Sequence, residues 1–189
     1  MIQAVIFDCF GVLTTEGWLA FKEQHFAHDP QLLQDVTDLN KQSDAGMISE
    51  QTFIAAVAEL AQVTEADVLQ TIYTTAPNEP LFAYIKQLKS QYKIGLLSNV
   101  AADHLGQIFT PEHLALFDAK ALSYDIGYSK PDARAYQTIA RRLGVEPEAC
   151  VFIDDVEGHV VGARDAGMQA IVYKDFAQTK ANLELVLGR

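Results

Sequence analysis

Four short segments of this sequence carry side chains able to do chemistry. Asp8 follows the apolar run 4–7, Ser98-Asn99 follow the run 93–97, and Asp154-Asp155 follow Cys150-Val151-Phe152-Ile153. The fourth is Lys130, directly ahead of Pro131. In the first three, a polar residue replaces the apolar pattern at the point where the run stops. Three carboxylates gathered in one place would repel one another and resist ionisation unless a cation lay among them. A hard cation such as Mg2+ takes oxygen ligands, typically one or two carboxylates with waters and substrate phosphate oxygens. Any single Asp, Ser or Asn at such a point is accounted for by turn formation. Three at matching positions are not. Lys130 alone would be an ordinary surface charge; in this company it would offset the carboxylates and hold an anionic substrate.

That reading requires elements that bring the run ends together. The runs 4–7, 93–97, 150–153 and 170–173 are too short for buried helices, and most are rich in β-branched or aromatic residues. They read as strands covered on both faces, with a weaker strand over 119–123. Amphipathic stretches at 79–91, 102–109, 131–143 and 156–166 read as helices, and Gly144 and Gly167 stop the last two. The alternation predicts an α/β fold, a three-layer Rossmann-like parallel sheet with helices on both sides. In open sheets of this kind ligands bind beyond the carboxyl ends of the strands, where Asp8, Ser98-Asn99 and Asp154-Asp155 would lie.

Residues 15–77 break the alternation. They show no strand pattern, only helical periodicity, as in Trp18, Leu19, Phe21, Lys22 and His25 and again in Phe53, Ile54, Val57, Leu60 and Ala61. The expected organisation is an α/β core of residues 1–14 and 78–189 with a small helical cap inserted at 15–77. Trp18, Phe21, Lys22 and His25 lie early in that cap, within reach of the site, and Trp18 and Phe21 are expected chiefly to fill its interior. Cys9 adjoins Asp8 but points to the opposite face of its strand, so packing is its expected role.

With 49% hydrophobic and 21% charged residues, the 189-residue chain can fill a core and is not expected to be disordered. Its formal net charge of -11, with no Lys/Arg cluster, argues against nucleic-acid or anionic-membrane partners. No apolar run approaches the roughly 20 residues of a membrane span. The N-terminus lacks a basic region, and Asp8 interrupts its apolar run, so no secretory signal is expected. Two cysteines, Cys9 and Cys150, are too few for a disulfide framework and suit a reducing compartment. The expected location is the cytoplasm; the sequence sets no oligomeric state.

Taken in order, Asp8-Cys9-Phe10-Gly11-Val12-Leu13-Thr14, Leu97-Ser98-Asn99, Ser129-Lys130-Pro131, and Phe152-Ile153-Asp154-Asp155 with Gly162-Ala163-Arg164-Asp165-Ala166-Gly167-Met168 resemble the four motifs of the haloacid dehalogenase-like (HAD) hydrolase superfamily. The insert sits where that superfamily places its helical cap. The resemblance implies that Asp8 is a nucleophile forming a covalent aspartyl intermediate. It implies that Ser98 and the backbone N–H of Asn99 bind the transferring phosphoryl oxygens, while Lys130 neutralises them and orients Asp8. Asp155 would be the metal-binding Asp of the fourth motif, with Asp154 beside it as a direct or indirect ligand. Asp8 and the backbone carbonyl of Phe10 would complete a Mg2+ site.

The activity implied is Mg2+-dependent hydrolysis of small phosphorylated metabolites. Phe10 departs from the commonest pattern, because most phosphatases of the superfamily carry there a second Asp that protonates the leaving group. Dehalogenases lack that Asp and usually have Tyr. A phosphatase branch acting on sugar phosphates such as glucose 1-phosphate lacks it too, and the overall pattern resembles that branch more closely. Two alternatives remain in view. A 2-haloacid dehalogenase is at odds with the acidic pair Asp154-Asp155. A low-turnover binding or regulatory protein on the same fold draws its support from Phe10 alone. His159 stands where related sequences often have Asp or Asn and is expected to be a helix-surface residue.

Overall fold

The β-branched and aromatic run after Gln3 forms strand β1 (Ala4–Phe7), buried along its whole length. The chain then builds four helices, α1 (Gly17–Phe26), α2 (Pro30–Asp44), α3 (Glu50–Ala61) and α4 (Glu65–Tyr73), before α5 (Glu79–Leu88) leads into β2 (Lys93–Ser98). Two short helices, α6 (Leu105–Ile108) and α7 (Pro111–Leu114), precede β3 (Ala119–Leu122). There follow α8 (Ser123–Ile126), α9 (Ala133–Leu143), β4 (Cys150–Asp154), α10 (Glu157–Asp165), β5 (Gln169–Val172) and α11 (Phe176–Leu187). This computed structural model describes all residues except 15, 16, 45, 46, 74 and 101, and the side chains of 44, 72 and 73. The expected start of the insert, at Thr15, lies outside the described residues.

Among the described residues the five strands form one sheet in the order β3-β2-β1-β4-β5, with every pairing parallel. Alternate residues serve opposite faces. Val5, Phe7, Ile94, Leu96, Val151 and Ile153 pack on one side with Leu81, Ile85 and Leu88 of α5 and Leu183 of α11. Ala4, Ile6, Leu97, Cys150 and Phe152 pack on the other with Tyr136 and Ile139 of α9 and Ala163 of α10. Burial on both sides explains why the strands read as continuous apolar runs. Cys9 joins the first cluster, as its place beside Asp8 requires.

Helices α1 to α4 have an interior of their own, built from Phe21, Phe26, Val36, Phe53, Ile54, Val57, Ala58 and Val68. Ser49 caps α3 through its side chain, and Gln62 closes it in a left-handed conformation. The chain returns to the sheet beside the point where it left. Thr14 and Pro77 form an antiparallel bridge, and the Asn78 N–H donates to the Leu13 carbonyl at 2.8 Å. The Asn78 side-chain amide donates to the Val12 carbonyl at 2.9 Å and to the Tyr173 hydroxyl at 2.7 Å.

The structure corrects several expected boundaries. The helix expected at 102–109 is the single turn α6; Phe109 is extended, and Thr110 caps a new turn opened by Pro111. Helix α9 starts at Ala133 rather than 131, because Asp132 is the cap and accepts from the Arg134 N–H. Helix α11, absent from the expected elements, is introduced by Asp175, which accepts from the Gln178 N–H. Among the described residues no helix is long and apolar enough to cross a membrane.

Helix α10 offers an internal test of close packing. A Cβ at Gly162 would meet Pro131 at 2.7 Å from its Cβ and 2.8 Å from its carbonyl oxygen, whereas one at Gly158 would meet nothing within 4 Å. Replacing Gly by Ala in a helix gains up to about 1 kcal/mol, and overpacking costs about 1–3 kcal/mol. Gly158→Ala is therefore expected to raise the unfolding midpoint in denaturant and Gly162→Ala to lower it. The same sign for both would refute the close approach.

Candidate active site

Sheet register assembles the site. Ile6 pairs with Phe152 and Phe7 with Ile153, so the next residues, Asp8 and Asp154, leave neighbouring strands side by side. The Asp8 N–H donates to the Ile153 carbonyl at 2.9 Å, extending the ladder by one step. Ser98 ends β2 on the other flank of β1. The strand order reverses direction at β1, the place where open α/β sheets leave a crevice.

Lys130 reaches this crevice from the start of the α9 segment. Its ammonium donates to Asp8 Oδ1 at 2.7 Å and to Asp154 Oδ2 at 2.6 Å, and all three side chains are at least nine-tenths buried. The Lys130 main chain is fixed just as firmly. The Asn99 side chain accepts from its N–H at 2.8 Å and donates to its carbonyl at 3.0 Å. The Asn99 amide thus serves as a clamp on the lysine segment.

Both oxygens of Asp154 are engaged. One accepts from the Val156 N–H at 2.8 Å, the other from Lys130, and His159 Nδ1 lies 3.1 Å from each. His159 is therefore not a surface residue of the helix, contrary to expectation: the first turn of α10 turns its half-buried ring onto the carboxylate. Tyr136 holds that turn from behind, its hydroxyl donating to the His159 carbonyl at 2.7 Å.

Asp155 is packed against Gly11. A Cβ there would press on the Asp155 carboxylate, and Gly11 has a φ of +80°, a conformation that demands glycine. Ser98 is fully buried, and its Oγ has no hydrogen-bond partner among the described residues.

The electrostatics follow from burial. Burial pushes Asp8 well above the usual carboxylate range; Lys130 opposes this, and Asp154 and Asp155 reinforce it. Burial raises Asp155 as well, with the Asp154 charge adding to it. Asp154 goes the other way: burial acts to raise it, but Lys130 and His159 together hold it down to about 2. Burial works against the charge on Lys130, yet its two carboxylates outweigh that and raise its pKa. Burial also lifts the Cys9 thiol well above its usual range, which leaves it a packing residue without a reactive thiolate.

Ligand atoms of Asp8, Asp154 and Asp155 all lie within 4.8 Å of one another. One lysine cannot balance three carboxylates, and beside burial the Asp154 charge adds to the upward shifts of Asp8 and Asp155. An all-oxygen donor set with uncompensated negative charge fits a hard divalent cation. The unpartnered Ser98 hydroxyl beside it fits an oxyanion.

The site opens into a cavity of about 260 Å3, lined from the core by Asp8, Phe10, Ser98, Asn99, Lys130, Asp155 and His159. Trp18, Lys22, Asn40, Ser43, Glu50 and Phe53 line it from helices α1 to α3. Phe21 is buried in the helical interior and stacks on Trp18 at 5.8 Å, so Trp18 serves both the interior and the cavity wall. Glu50 meets His104 across the cavity, its oxygens 2.9 and 3.2 Å from Nε2. Neither residue had a signal in the sequence, because facing pairs 54 positions apart follow from packing alone.

Breaking a buried ion pair by removing one partner costs about 3–5 kcal/mol. Lys130→Met is expected to lose that much stability at neutral pH in denaturant titrations. Without the ammonium, nothing opposes the burial that raises Asp8, so Asp8 binds its proton more readily folded than unfolded and the loss should shrink as pH falls toward 5. A variant as stable as the wild type would show that the cluster is not held by Lys130.

Comparison with known proteins bears on the arrangement as a whole. The profile of the haloacid dehalogenase-like hydrolase family matches residues 2–167. A phosphatase of Mycobacterium tuberculosis is 31% identical over 198 residues, covering 95% of this chain and 90% of its own. Hexitol phosphatase B of Escherichia coli is 28% identical over 117 residues, 59% of this chain and 53% of its own, so the alignment spans about half of that enzyme. The crystal structure of a HAD family enzyme from Bacteroides thetaiotaomicron, in complex with magnesium and inorganic phosphate, superposes with a TM-score of 0.72. That superposition covers 95% of this chain and 99% of the other, and at 21% identity it speaks for the fold. With a family match along most of its length and a carboxylate cluster at the ends of β1 and β4, the chain belongs to the haloacid dehalogenase-like hydrolases.

Proposed function

We propose that the protein is a Mg2+-dependent phosphatase of small phosphorylated metabolites, sugar phosphates foremost, acting through an aspartyl phosphate on Asp8. The observation that carries this reading is the buried Asp8–Lys130–Asp154 cluster, with Asp155 and the unpartnered Ser98 hydroxyl beside it at the cavity floor. The phosphatase names of the mycobacterial and enterobacterial relatives support it, as does the magnesium and phosphate complex of the structural neighbour. The acidic pair speaks against the dehalogenase alternative, which needs no cation among its carboxylates.

In this reading Asp8, Asp155 and the backbone carbonyl of Phe10 would hold the metal, with Asp154 alongside it. Bound there, Mg2+ would neutralise charge on the phosphoryl oxygens and keep Asp8 ionised. Asp8 attacks phosphorus in line; its new O–P bond forms as the ester P–O bond breaks and the alcohol oxygen leaves with the electron pair. Ser98 and the Asn99 backbone N–H bind the transferring oxygens, and Lys130 holds Asp8 to its attack geometry. Water then cleaves the aspartyl phosphate, releasing inorganic phosphate and regenerating Asp8. Residues 15–77 act as a cap over the core of 1–14 and 78–189, excluding water and macromolecular substrates in the cytoplasm.

Two outcomes test this. Asp8→Asn should abolish hydrolysis of p-nitrophenyl phosphate without changing the circular dichroism, and chelator should do the same to the wild type until Mg2+ is returned. Turnover that survives either treatment would refute the mechanism.

Phe10 cannot supply a proton, and a positioned general acid contributes about 10²–10⁴-fold. The leaving oxygen therefore departs with more negative charge, and a hexose 1-phosphate should be cleaved faster than its 6-phosphate isomer. Across esters of graded leaving-group pKa, the wild type should show a steep dependence and Phe10→Asp a shallow one. A flat wild-type dependence under single-turnover conditions would mean that another group, His159 or a bound water, delivers the proton.

A further inference from the structure

Lys130 is held between two carboxylates, and its charge is committed to them. The other lysine on the cavity wall is Lys22, on α1. It is half-buried, yet it forms no ion pair among the described residues; the contact described for it is with the Trp18 ring, 5.7 Å from the ammonium to the ring centroid. The cavity's two histidines are each turned to a carboxylate, His104 to Glu50 and His159 to Asp154. Lys22 is thus the one cavity cation among the described residues whose charge no acidic side chain answers.

The surroundings sharpen what such a charge selects. The protein carries a net charge of -11, and Asp8, Asp155 and Glu50 all line the cavity. A second anion on a substrate would be repelled from this space unless a dedicated cation received it. The stacking of Lys22 on Trp18 contributes only about 0.5–1 kcal/mol, less than a charge-assisted hydrogen bond to a bound anion. Trp18 and Phe53, edge to face at 5.4 Å, form an apolar wall beside it against which a short carbon skeleton can lie. A cavity of about 260 Å3 has room for a phosphoryl group and a small substituted skeleton.

We propose that Lys22 is a specificity-determining residue that binds a second anionic group, a carboxylate or a further phosphate, carried by the leaving group of the substrate. This rests on the phosphatase reading and names a substrate class within it: small phosphate esters with two separated negative groups, one hydrolysed at Asp8 and the other held at the insert end of the cavity.

The test compares matched esters that differ by one anion: 3-phosphoglycerate against glycerol 3-phosphate, and a hexose 1,6-bisphosphate against the hexose 1-phosphate, with p-nitrophenyl phosphate as a reference. The wild type is expected to favour the doubly anionic member of at least one pair about tenfold in kcat/KM, the size of one charge-assisted hydrogen bond. The first pair reports a carboxylate and the second a phosphate. Lys22→Met should erase the preference through KM, and Lys22→Arg should keep it. Hydrolysis of p-nitrophenyl phosphate with no preference in either pair, or a Lys22→Met variant impaired equally on all esters, overturns this inference and leaves the phosphatase reading standing. No turnover of any ester in Mg2+ overturns both.

Discussion

A lysine ammonium buried between two carboxylates is the interaction on which the rest of this structure turns. Taking such ions out of water costs several kcal/mol apiece, and only close geometry with further hydrogen bonds offsets it. The fold supplies that geometry from several directions. Parallel register sets Asp8 beside Asp154, Asn99 grips the lysine main chain on both its N–H and its carbonyl, and His159 and the Val156 N–H occupy the remaining faces of Asp154. Gly162 then lets α10 come down onto Pro131, closing the layer behind the lysine. The Lys130–Phe152 contact, 5.4 Å from ammonium to ring centroid, caps the charge from the sheet side.

The same cluster separates two carboxylates that are adjacent in sequence. Asp154 is fully engaged and sits far below the ordinary carboxylate range, whereas Asp155, one residue on, is raised by burial and by its neighbour. One holds the lysine; the other turns toward Gly11 and the cavity. Strand pleating produces this division, since consecutive side chains at a strand end leave in opposite directions.

Much of the core was legible because strands buried on both faces write themselves as unbroken apolar runs, and a polar residue at the end of such a run stands out. Asp8, Ser98 and Asp154-Asp155 were visible for that reason. Helical periodicity gives His159 a face but not the entry angle of its helix, and the first turn of α10 sets its ring on Asp154 at the end of β4. Helix α11 has no clear signature in the sequence because its apolar residues make a weak stripe; Leu183 is buried while Leu185 stands 77% exposed. Stretch 102–109 carried helical residues, but Thr110-Pro111 restarts the chain in a new turn. Trp18 and Lys22 stand early in the insert at helical spacing, which already brings them within reach of the site, but the contribution of α2 and α3 to the cavity had no sequence signal. Glu50 and His104 meet only because two separately packed units face each other.

The two crossings between sheet and insert lie side by side, joined by the Thr14–Pro77 bridge and by the Asn78 contacts to Val12, Leu13 and Tyr173. Since entry and exit are already neighbours, the chain between them can change in length or architecture at little entropic penalty to the sheet, the closure term growing only as the logarithm of loop length. The insert is therefore a module in the evolutionary sense. Its residues can drift, or be exchanged for another unit, while the reactive floor stays as it is. Under the proposed function, changes in α1 to α3 would alter what the cavity admits without disturbing the burial of Lys130.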